Sequence, residues 1–393
     1  MNAPYQSRDT GCQGNPPPIP FNRVSLSPAV RREVMRALDD GSLTGGGRNT
    51  RRCHEKLDAI YSGSRPFLTN SCTAALEMAA LLLGVGPGDE IILPSWTFSS
   101  TATAVALRGA VPVFVDVLPT TLNIDVARVE EAITPRTRAV YAVHYAGVAC
   151  AMDALVALCA DRGIALVEDA AQAFGSSWDG KPLGGFGDFG ALSFHGTKNV
   201  SCGEGGALIV NRPDAAAAAE IAWEKGTDRL RFEQGHVSSY EWQALGSSFL
   251  PSDLTAALLA AQFDDADAKR AARLAAYDRY VALLADCAAR GRVRLLAIPE
   301  QAAGNGHIFA LRFENEARRA GVIARLAYER IDARTHYKPL HSSPGGRRYG
   351  RVAGPMGVTD EAAATLLRLP LDDVITPVEQ ERIVAVIEAA LRH

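Results

Sequence analysis

The sequence has no apolar run approaching the roughly 20 residues of a membrane-spanning helix, and its N-terminus lacks the charged-then-apolar pattern of a secretory signal. A cytoplasmic protein without membrane contact is the expectation. No C-x-x-C pair occurs among the seven cysteines, at positions 12, 53, 72, 150, 159, 202 and 287. An odd number in that arrangement indicates neither a disulfide framework nor a zinc site, so reduced thiols used mainly in packing, and no bound metal, are expected. A basic stripe is missing too. Lys and Arg number 41 against 44 Asp and Glu, a formal charge of −3, and the basic residues are spread along the chain, which excludes nucleic acid as the expected partner.

What is present centres on one stretch, Ala165 to Ala207. It opens with a short buried-strand run, Ile164 to Val167, that ends on adjacent carboxylates, Glu168 and Asp169. After a glycine-rich span, the apolar run Ala191 to Phe194 delivers Ser193 and His195, then Lys198. A lysine in a glycine-rich loop is ordinarily a solvated surface residue. A lysine at the mouth of a sheet, beside a carboxylate from a nearby strand, is also what an enzyme needs to bond an aldehyde cofactor and tune its ring nitrogen. Two other motif matches fail. Gly185 to Gly190, GFGDFG, fits G-x-G-x-x-G, but no buried strand precedes it and a strand-like run follows where a dinucleotide site needs a helix. Gly175 to Lys181 fits a P-loop until Pro182 replaces the hydroxyl residue that would hold magnesium.

Taken in order, residues 1–18, ending in Pro16, Pro17 and Pro18, read as a flexible leader. Ser27 and Pro28 start a helix with Val30, Val34 and Leu38 on one face, stopping at Gly41. SLTGGGRNTRRCHEKL is a glycine turn before a basic helix start, readable as a plain loop. A strand from Pro66 to Thr69 then meets small polar residues and an alanine-rich helix beginning near Thr73. Free backbone N–H groups and the helix dipole converge there, making either an anion seat or an ordinary capped helix. Further strands are expected at Ile91–Leu93, Val111–Val115, Ala139–Val143 and Gly206–Val210. Strands alternating with amphipathic helices indicate βαβ units, a mostly parallel sheet and ligands beyond the strands' carboxyl ends. Phe98, His144 and Asp169 fall at such ends, His144 reading more as a strand cap than as a catalytic group. The polar loop Gly226 to Pro251 carries Phe232, Tyr240, Trp242 and Phe249 among charges, a mixture suited to an interface. One long helix, Ser252 to about Ala289, is expected to cross to a smaller C-terminal unit. That unit has strands at Val293–Ala297 and His307–Phe313, a helix at Ala317–Tyr328, and a final helix with Thr376, Pro377 and Glu379 as capping box.

The blocks VEDAAQAFG, SFHGTKN and GEGG in one register resemble the DegT/DnrJ/EryC1/StrS family of PLP-dependent sugar aminotransferases. Within that family the likeness is greatest to dTDP-4-amino-4,6-dideoxygalactose transaminases, and it runs from about Ile19 to the C-terminus. The resemblance implies an α/β, fold type I aminotransferase: a large mostly parallel sheet domain over 19–251, a connecting helix over 252–290 and a small C-terminal α/β domain over 291–393. It implies that Lys198 bonds pyridoxal 5'-phosphate, with PMP as the aminated form, and that Asp169 holds the ring nitrogen protonated. Cys72 and Thr73 fall at the cofactor phosphate, Phe98 on the ring face, Gln172 near the phenolic oxygen, and Ser193 beside the cofactor. Ser248 would reach the phosphate site of the partner in a homodimer, and Thr44, Gly45 and His341 would rim the substrate site. Two positions depart from the usual pattern, Cys72 where glycine is common and Ser248 where many members have asparagine. The implied substrates are L-glutamate and a nucleotide sugar, a dTDP-4-keto-6-deoxyhexose, giving dTDP-4-amino-4,6-dideoxygalactose. The gluco epimer and a 3-aminotransferase stand next to that reading. A sugar 3-dehydratase would carry histidine in place of Lys198, and a non-catalytic PLP-fold regulator should lack the lysine or the aspartate.

Overall fold

The computed structural model describes residues 16–41 and 43–392. The expected leader therefore lies outside the described residues except at its end, where the carbonyl of Pro17 accepts from Arg382 at 2.7 Å and that of Pro16 from Arg330 at 3.5 Å.

The expected strands form, with Glu90–Pro94, Phe189–Ser193, Gly206–Val210 and Phe309–Arg312 buried along their whole length, and Ser177–Trp178, Lys181–Pro182, Ala302–Ala303, Arg351–Val352 and Leu366–Leu369 are added to them. β1 (Arg65–Thr69), β2 (Glu90–Pro94), β3 (Val111–Val115), β4 (Thr137–Val143) and β5 (Ala165–Asp169) come first. β6 (Ser177–Trp178) and β7 (Lys181–Pro182) make a short hairpin, and β8 (Phe189–Ser193) and β9 (Gly206–Val210) flank the lysine loop. β10 (Arg294–Leu295), β11 (Ala302–Ala303), β12 (Phe309–Arg312), β13 (Arg351–Val352) and β14 (Leu366–Leu369) follow. Eight of them build the main sheet in the order β1-β9-β8-β5-β4-β2-β3-β13. β9 runs antiparallel to both neighbours, and the other pairs are parallel. A sheet of this kind is covered on both faces, which is why its strands are continuous Val, Ile, Leu and Ala runs. The smaller unit holds the sheet β10-β12-β14, and β11 joins the β6-β7 hairpin.

Strand alternation decides which side chain meets which layer. In β5, Leu166 belongs to the cluster with Leu57, Ile92 and Ile209, and Val167 to the opposite one with Phe67, Tyr141 and Leu208. The next two residues must alternate likewise, so the adjacent carboxylates Glu168 and Asp169 leave the strand on opposite faces. Helices α1 (Pro28–Asp39), α2 (Arg48–Ile60), α3 (Cys72–Leu82) and α4 (Ser99–Ala106) supply part of the two covering layers.

Several expectations are corrected. α1 buries Val30 and Ala37, the side toward the helix Asp253–Asp264, and leaves Leu38 45% exposed, one helical step too far round. The single helix expected from 252 to 289 is three, Asp253–Asp264, Ala266–Leu283 and Ala285–Ala289. The first break falls at Asp265 in an aspartate-rich stretch, a residue type that favours helix ends. The expected domain division is crossed in both directions. Ile19 packs in the C-terminal core with Leu326 and Ile331, its carbonyl accepting from Asp332 at 2.9 Å, and Arg23 grips Asp372 at 2.8 Å. In return, β13 adds to the free edge of β3, while Arg351 and Arg136 both hold Glu90. The capping box at Thr376 forms as expected. Among the described residues no helix is long and apolar enough to cross a membrane, and no group of three metal-ligating side chains occurs.

Candidate active site

The loop from β8 to β9 is pinned by backbone bonds, Phe194 to Gly205 at 2.8 Å, Gly196 to Gly203 at 2.8 Å and Cys202 to Phe194 at 2.9 Å. It carries Lys198 at the carboxyl end of the sheet. Burial pushes the Lys198 ammonium below its ordinary pKa, with Cys72 and Asp169 opposing that drop through space rather than through a hydrogen bond. An amine so placed is closer to its free-base, nucleophilic form.

Asp169 ends β5 on the same face. The Thr101 hydroxyl donates to its Oδ2 at 2.7 Å and the Ala171 amide to Oδ1 at 3.2 Å. Burial nonetheless raises its pKa, because these bonds and Lys198 only partly offset desolvation. The adjacent Glu168 is wholly different. It accepts from His144 Nε2 at 3.0 Å and from the amides of Gly184, Phe186 and Gly187 at 2.7, 2.6 and 2.8 Å. Burial would raise its pKa, but His144 and those amides outweigh it and hold the carboxyl below the ordinary range. The glycine-rich turn Gly184 to Gly187, which overlaps the start of the GFGDFG run, is thus a nest for an internal carboxylate. His144 is locked as well, its Nδ1 accepting the Cys150 amide at 3.2 Å, which puts its proton on Nε2. It is a structural residue.

Above the sheet two helix starts converge. Ser71 caps α3, its hydroxyl accepting the Ala74 amide at 3.1 Å, so Cys72 and Thr73 occupy the first turn with amides free. Thr73 and Ser100, in the first turn of α4, meet hydroxyl to hydroxyl at 2.7 Å. Gly206 makes this seat possible, since a Cβ there would lie 2.5 Å from the Cys72 nitrogen. Amides and dipoles of two helices aimed at one point favour a phosphate. Phe98, the residue before α4, is 60% exposed and stands in the cavity wall.

The cavity measures about 490 Å³ and takes in Cys72, Thr73, Phe98, Asp169, Gln172, Ser193 and Lys198. The parts fit a phosphorylated pyridine aldehyde: an amine without a hydrogen-bond partner and a buried carboxylate with no bonded cation among the described residues, an exposed flat ring and an anion seat. A larger cleft of about 900 Å³ opens at the strands' amino ends among Asp188, Asn211 and Arg212. It holds none of these groups, and parallel sheets bind ligands at the other end.

Thr44, Gly45, Ser248 and His341 are not brought into this cavity. The glycine turn serves the chain itself: a Cβ at Gly45 would meet the Pro251 carbonyl at 2.5 Å, and one at Gly47 the Asp253 carboxyl at 2.5 Å. That carboxylate caps the amides of Asn49 and Thr50 at 3.1 and 2.9 Å. His341 is tied to Ser95 at 2.7 Å and Asp360 at 3.4 Å. Ser248 is exposed, and its carbonyl accepts from Asn70 at 3.1 Å.

Sequence reading missed the opposite wall, which comes from the C-terminal unit and from Phe21 and Asn22. Gln172 bridges to it, accepting the Ala146 amide at 2.6 Å and donating to Tyr337 at 2.7 Å. The Tyr337 ring stacks on His336 at 3.7 Å, and His336 Nδ1 meets the Tyr145 hydroxyl at 2.7 Å. Asn199 donates to the Asn305 carbonyl, so its oxygen faces His307 Nδ1 at 2.9 Å and fixes that ring's proton there. Burial, and then nearby cations including Lys198, push both His307 and His336 well below the ordinary pKa, leaving neutral imidazoles. The run THYKPLH was the available signal for half of this wall. Nothing local marked His307 or Arg368.

Residues 25–388 match the model of the DegT/DnrJ/EryC1/StrS aminotransferase family. The spore coat polysaccharide biosynthesis protein SpsC of Bacillus subtilis (strain 168) is 36% identical over 243 residues, 61% of this chain and 62% of that protein. The match therefore spans less than two thirds of that relative's length. The aminotransferase TlmJ from Streptoalloteichus hindustanus is 29% identical with a TM-score of 0.87, over 96% of this chain and 99% of that one. A Streptococcus pneumoniae structure in its PMP-form is 26% identical with a TM-score of 0.87, over 95% and 98% of the two chains.

Proposed function

Because the chain belongs to the DegT/DnrJ/EryC1/StrS aminotransferase family, we propose that it is a PLP-dependent sugar aminotransferase. The observation that carries the reading is the pairing of Lys198 with Asp169 in one cavity, an amine whose proton is loosened by burial beside a carboxylate left without a bonded cation. When bound, PLP supplies an aldehyde to receive the amino group and a protonated ring to draw off electrons. The chain does the rest. Lys198 would hold the cofactor through its Nζ and, when free of it, would move a proton at the donor's Cα. Asp169 keeps a proton on the ring nitrogen, and the Thr101 hydroxyl holds its Oδ2 in place at 2.7 Å. The amides of Cys72 and Thr73 receive the phosphate, Phe98 covers a ring face, and Gln172 and Ser193 border the ring. The roles assigned to these residues rest on the family resemblance together with their shared cavity.

In this reading L-glutamate gives the amino group to a dTDP-4-keto-6-deoxyhexose, forming dTDP-4-amino-4,6-dideoxygalactose in the cytoplasm. The enzyme works as a homodimer in which Ser248 serves the partner's phosphate site. Its exposure in the single chain, on a segment that also exposes Trp242 by 76% and Leu245 by 61%, supports that arrangement. The test is direct. Purified protein should absorb as a PLP enzyme, bleach with glutamate, and recover on adding the ketosugar, with the product assigned by NMR. An enzyme that bleaches with glutamate but never recovers with any 4-keto or 3-keto nucleotide sugar would not be a sugar aminotransferase.

A further inference from the structure

The start of α4 and the residues leading into it carry more hydroxyls than a helix start requires: Thr97, Ser99, Ser100, Thr101 and Thr103. A hydroxyl residue at such a place ordinarily caps the helix by accepting a backbone N–H. Here the cap position is Phe98, and no side chain caps α4. Two of the hydroxyls are spent on each other and on a carboxylate. Thr101 donates to Asp169 Oδ2 at 2.7 Å, and the Thr97 hydroxyl meets that of Thr101 at 2.8 Å. Thr101 is wholly buried, and Thr97 is buried where it borders the cavity.

Counting hydrogens gives the direction of this chain. An ionised carboxylate only accepts, so the single Thr101 hydroxyl hydrogen goes to Oδ2, and the hydrogen between the two threonines comes from Thr97. Two O–H dipoles therefore point in series at one carboxylate oxygen, each polarising the next. Thr101 is the one side chain that bonds the Asp169 carboxyl among the described residues, and Oδ1 takes the Ala171 amide at 3.2 Å. Burial works against the anion. The Thr101 bond is the largest of the influences that oppose it, ahead of the Ala171 amide and the charges of Lys198 and His144.

We propose that Thr97 and Thr101 are positioning residues that act through Asp169, a two-hydroxyl relay that keeps its carboxylate ionised and fixed in orientation and thereby holds the proton on the cofactor's ring nitrogen. The inference rests on the aminotransferase reading, which gives that nitrogen to Asp169. A carboxyl that kept the proton for itself could not hold it on the ring. The other use the threonines could have is to brace the helix start, where Phe98 covers the ring and Ser100 meets Thr73 at the phosphate seat. Bracing needs the bonds but not the charge of Asp169, and experiment can tell the two apart.

Thr101→Val keeps the shape and removes the hydroxyl, Thr101→Ser keeps the hydroxyl, and Thr97→Val removes only the outer one. Each is prepared as holoenzyme with PLP carrying nitrogen-15 in the ring, and the ring-nitrogen resonance is read by NMR, a measure of its protonation apart from turnover. Wild type should show the protonated position. Thr101→Val should move the resonance toward the unprotonated one, Thr97→Val should move it the same way by less, and Thr101→Ser should keep the wild-type position. The second-order rate of the glutamate half-reaction should fall about 30-fold in Thr101→Val, as for a lost hydrogen bond to a charged group, and about threefold in Thr97→Val. In Thr101→Ser it should recover to within about threefold of wild type. A Thr101→Val resonance at the wild-type position, or a serine variant as impaired as the valine one, would overturn the assignment. A bracing role would lower stability in denaturant and leave the resonance unmoved. If Thr101→Val does not fold, Thr97→Val decides on the same resonance. Wild type that takes up no PLP, or shows no glutamate half-reaction, would sink the aminotransferase reading itself, a result distinct from an active wild type whose variants leave the resonance in place.

Discussion

The two walls of the cavity are made in different ways. On the sheet side, each group stands at the end of a strand or the start of a helix and takes at least one bond from within a few residues, Ser71 to Ala74, Asp169 to Ala171, Lys198 to His195, with Thr101 on Asp169 and Ser100 on Thr73 added from the neighbouring helix. On the opposite side, the groups hold one another across long chain separations, Tyr145 with His336, Gln172 with Tyr337, Asn199 with His307. A wall built from strand ends keeps its geometry whatever the other unit does, so it suits bond making. A wall built from mutual contacts between units depends on their docking, so it suits the fit of the substrate.

Substitutions can break or sharpen that contrast. The largest loss should follow Lys198→Ala, a fall in turnover of roughly 10⁴-fold or more, with the protein still folded. Borohydride should no longer fix the cofactor to the chain, and fixation in the variant would mean that another lysine bonds it. Asp169→Asn should come next, slowing turnover about 10² to 10³-fold, as for other displaced active-site charges. Near-normal turnover would show the strand-end carboxylate to be misassigned.

Glu168→Gln tests the other face of the same strand. Because its carboxylate holds His144 and three backbone amides, the loss should be one of stability, about 3 kcal/mol, read by denaturant unfolding. A variant as stable as wild type but inactive would reverse the roles given to the two carboxylates. Glu90, tied to Arg351 and Arg136, has its pKa lowered to about 2, with the Arg351 hydrogen bond the largest cause. A carboxylate whose folded pKa is depressed stabilises above its ordinary range, and that stability is lost as pH falls through the folded value. Glu90→Gln should therefore cost on the order of 2 kcal/mol at neutral pH, discounted for its exposed arginines. The difference should vanish by about pH 2. The smallest effect belongs to Tyr337→Phe, which removes one hydrogen bond to Gln172 and should raise the KM of a substrate about threefold while kcat holds. A kcat loss as large as that of Asp169→Asn would erase the distinction between the walls.

The sheet wall was legible in the sequence because its signals are local. A strand ending in Asp169, a glycine-flanked lysine and a small-residue turn into α3 each occupy a window of a few residues. The split between Glu168 and Asp169 was also available in principle, since alternation sends neighbours to opposite faces, yet the adjacent acids read as one signal. Arg368 and His307 stayed invisible because each lies in an ordinary apolar strand pattern, and only the docking of the smaller unit brings them into the cavity that Lys198 lines. Gly45 and Gly47 misled for a related reason. A glycine permits close approach, but the sequence does not say to what, and here the neighbours are Pro251 and Asp253.

The two-residue strand β13 has a consequence for the life of the chain before it is complete. Arg351 and Val352 pair with Val113 and Phe114, and the Ala353 amide takes the Phe114 carbonyl at 2.9 Å. Until that late segment arrives, the sheet ends in VPVFV, an apolar border with open backbone groups, blunted at one point by Pro112. Such borders recruit strands from other molecules. A chain cut at residue 340 should accordingly elute from size exclusion as large assemblies rather than as a free sheet domain, and a well-behaved monomer would show that the border needs no cover. During synthesis the same border stands open while the smaller unit is still being made.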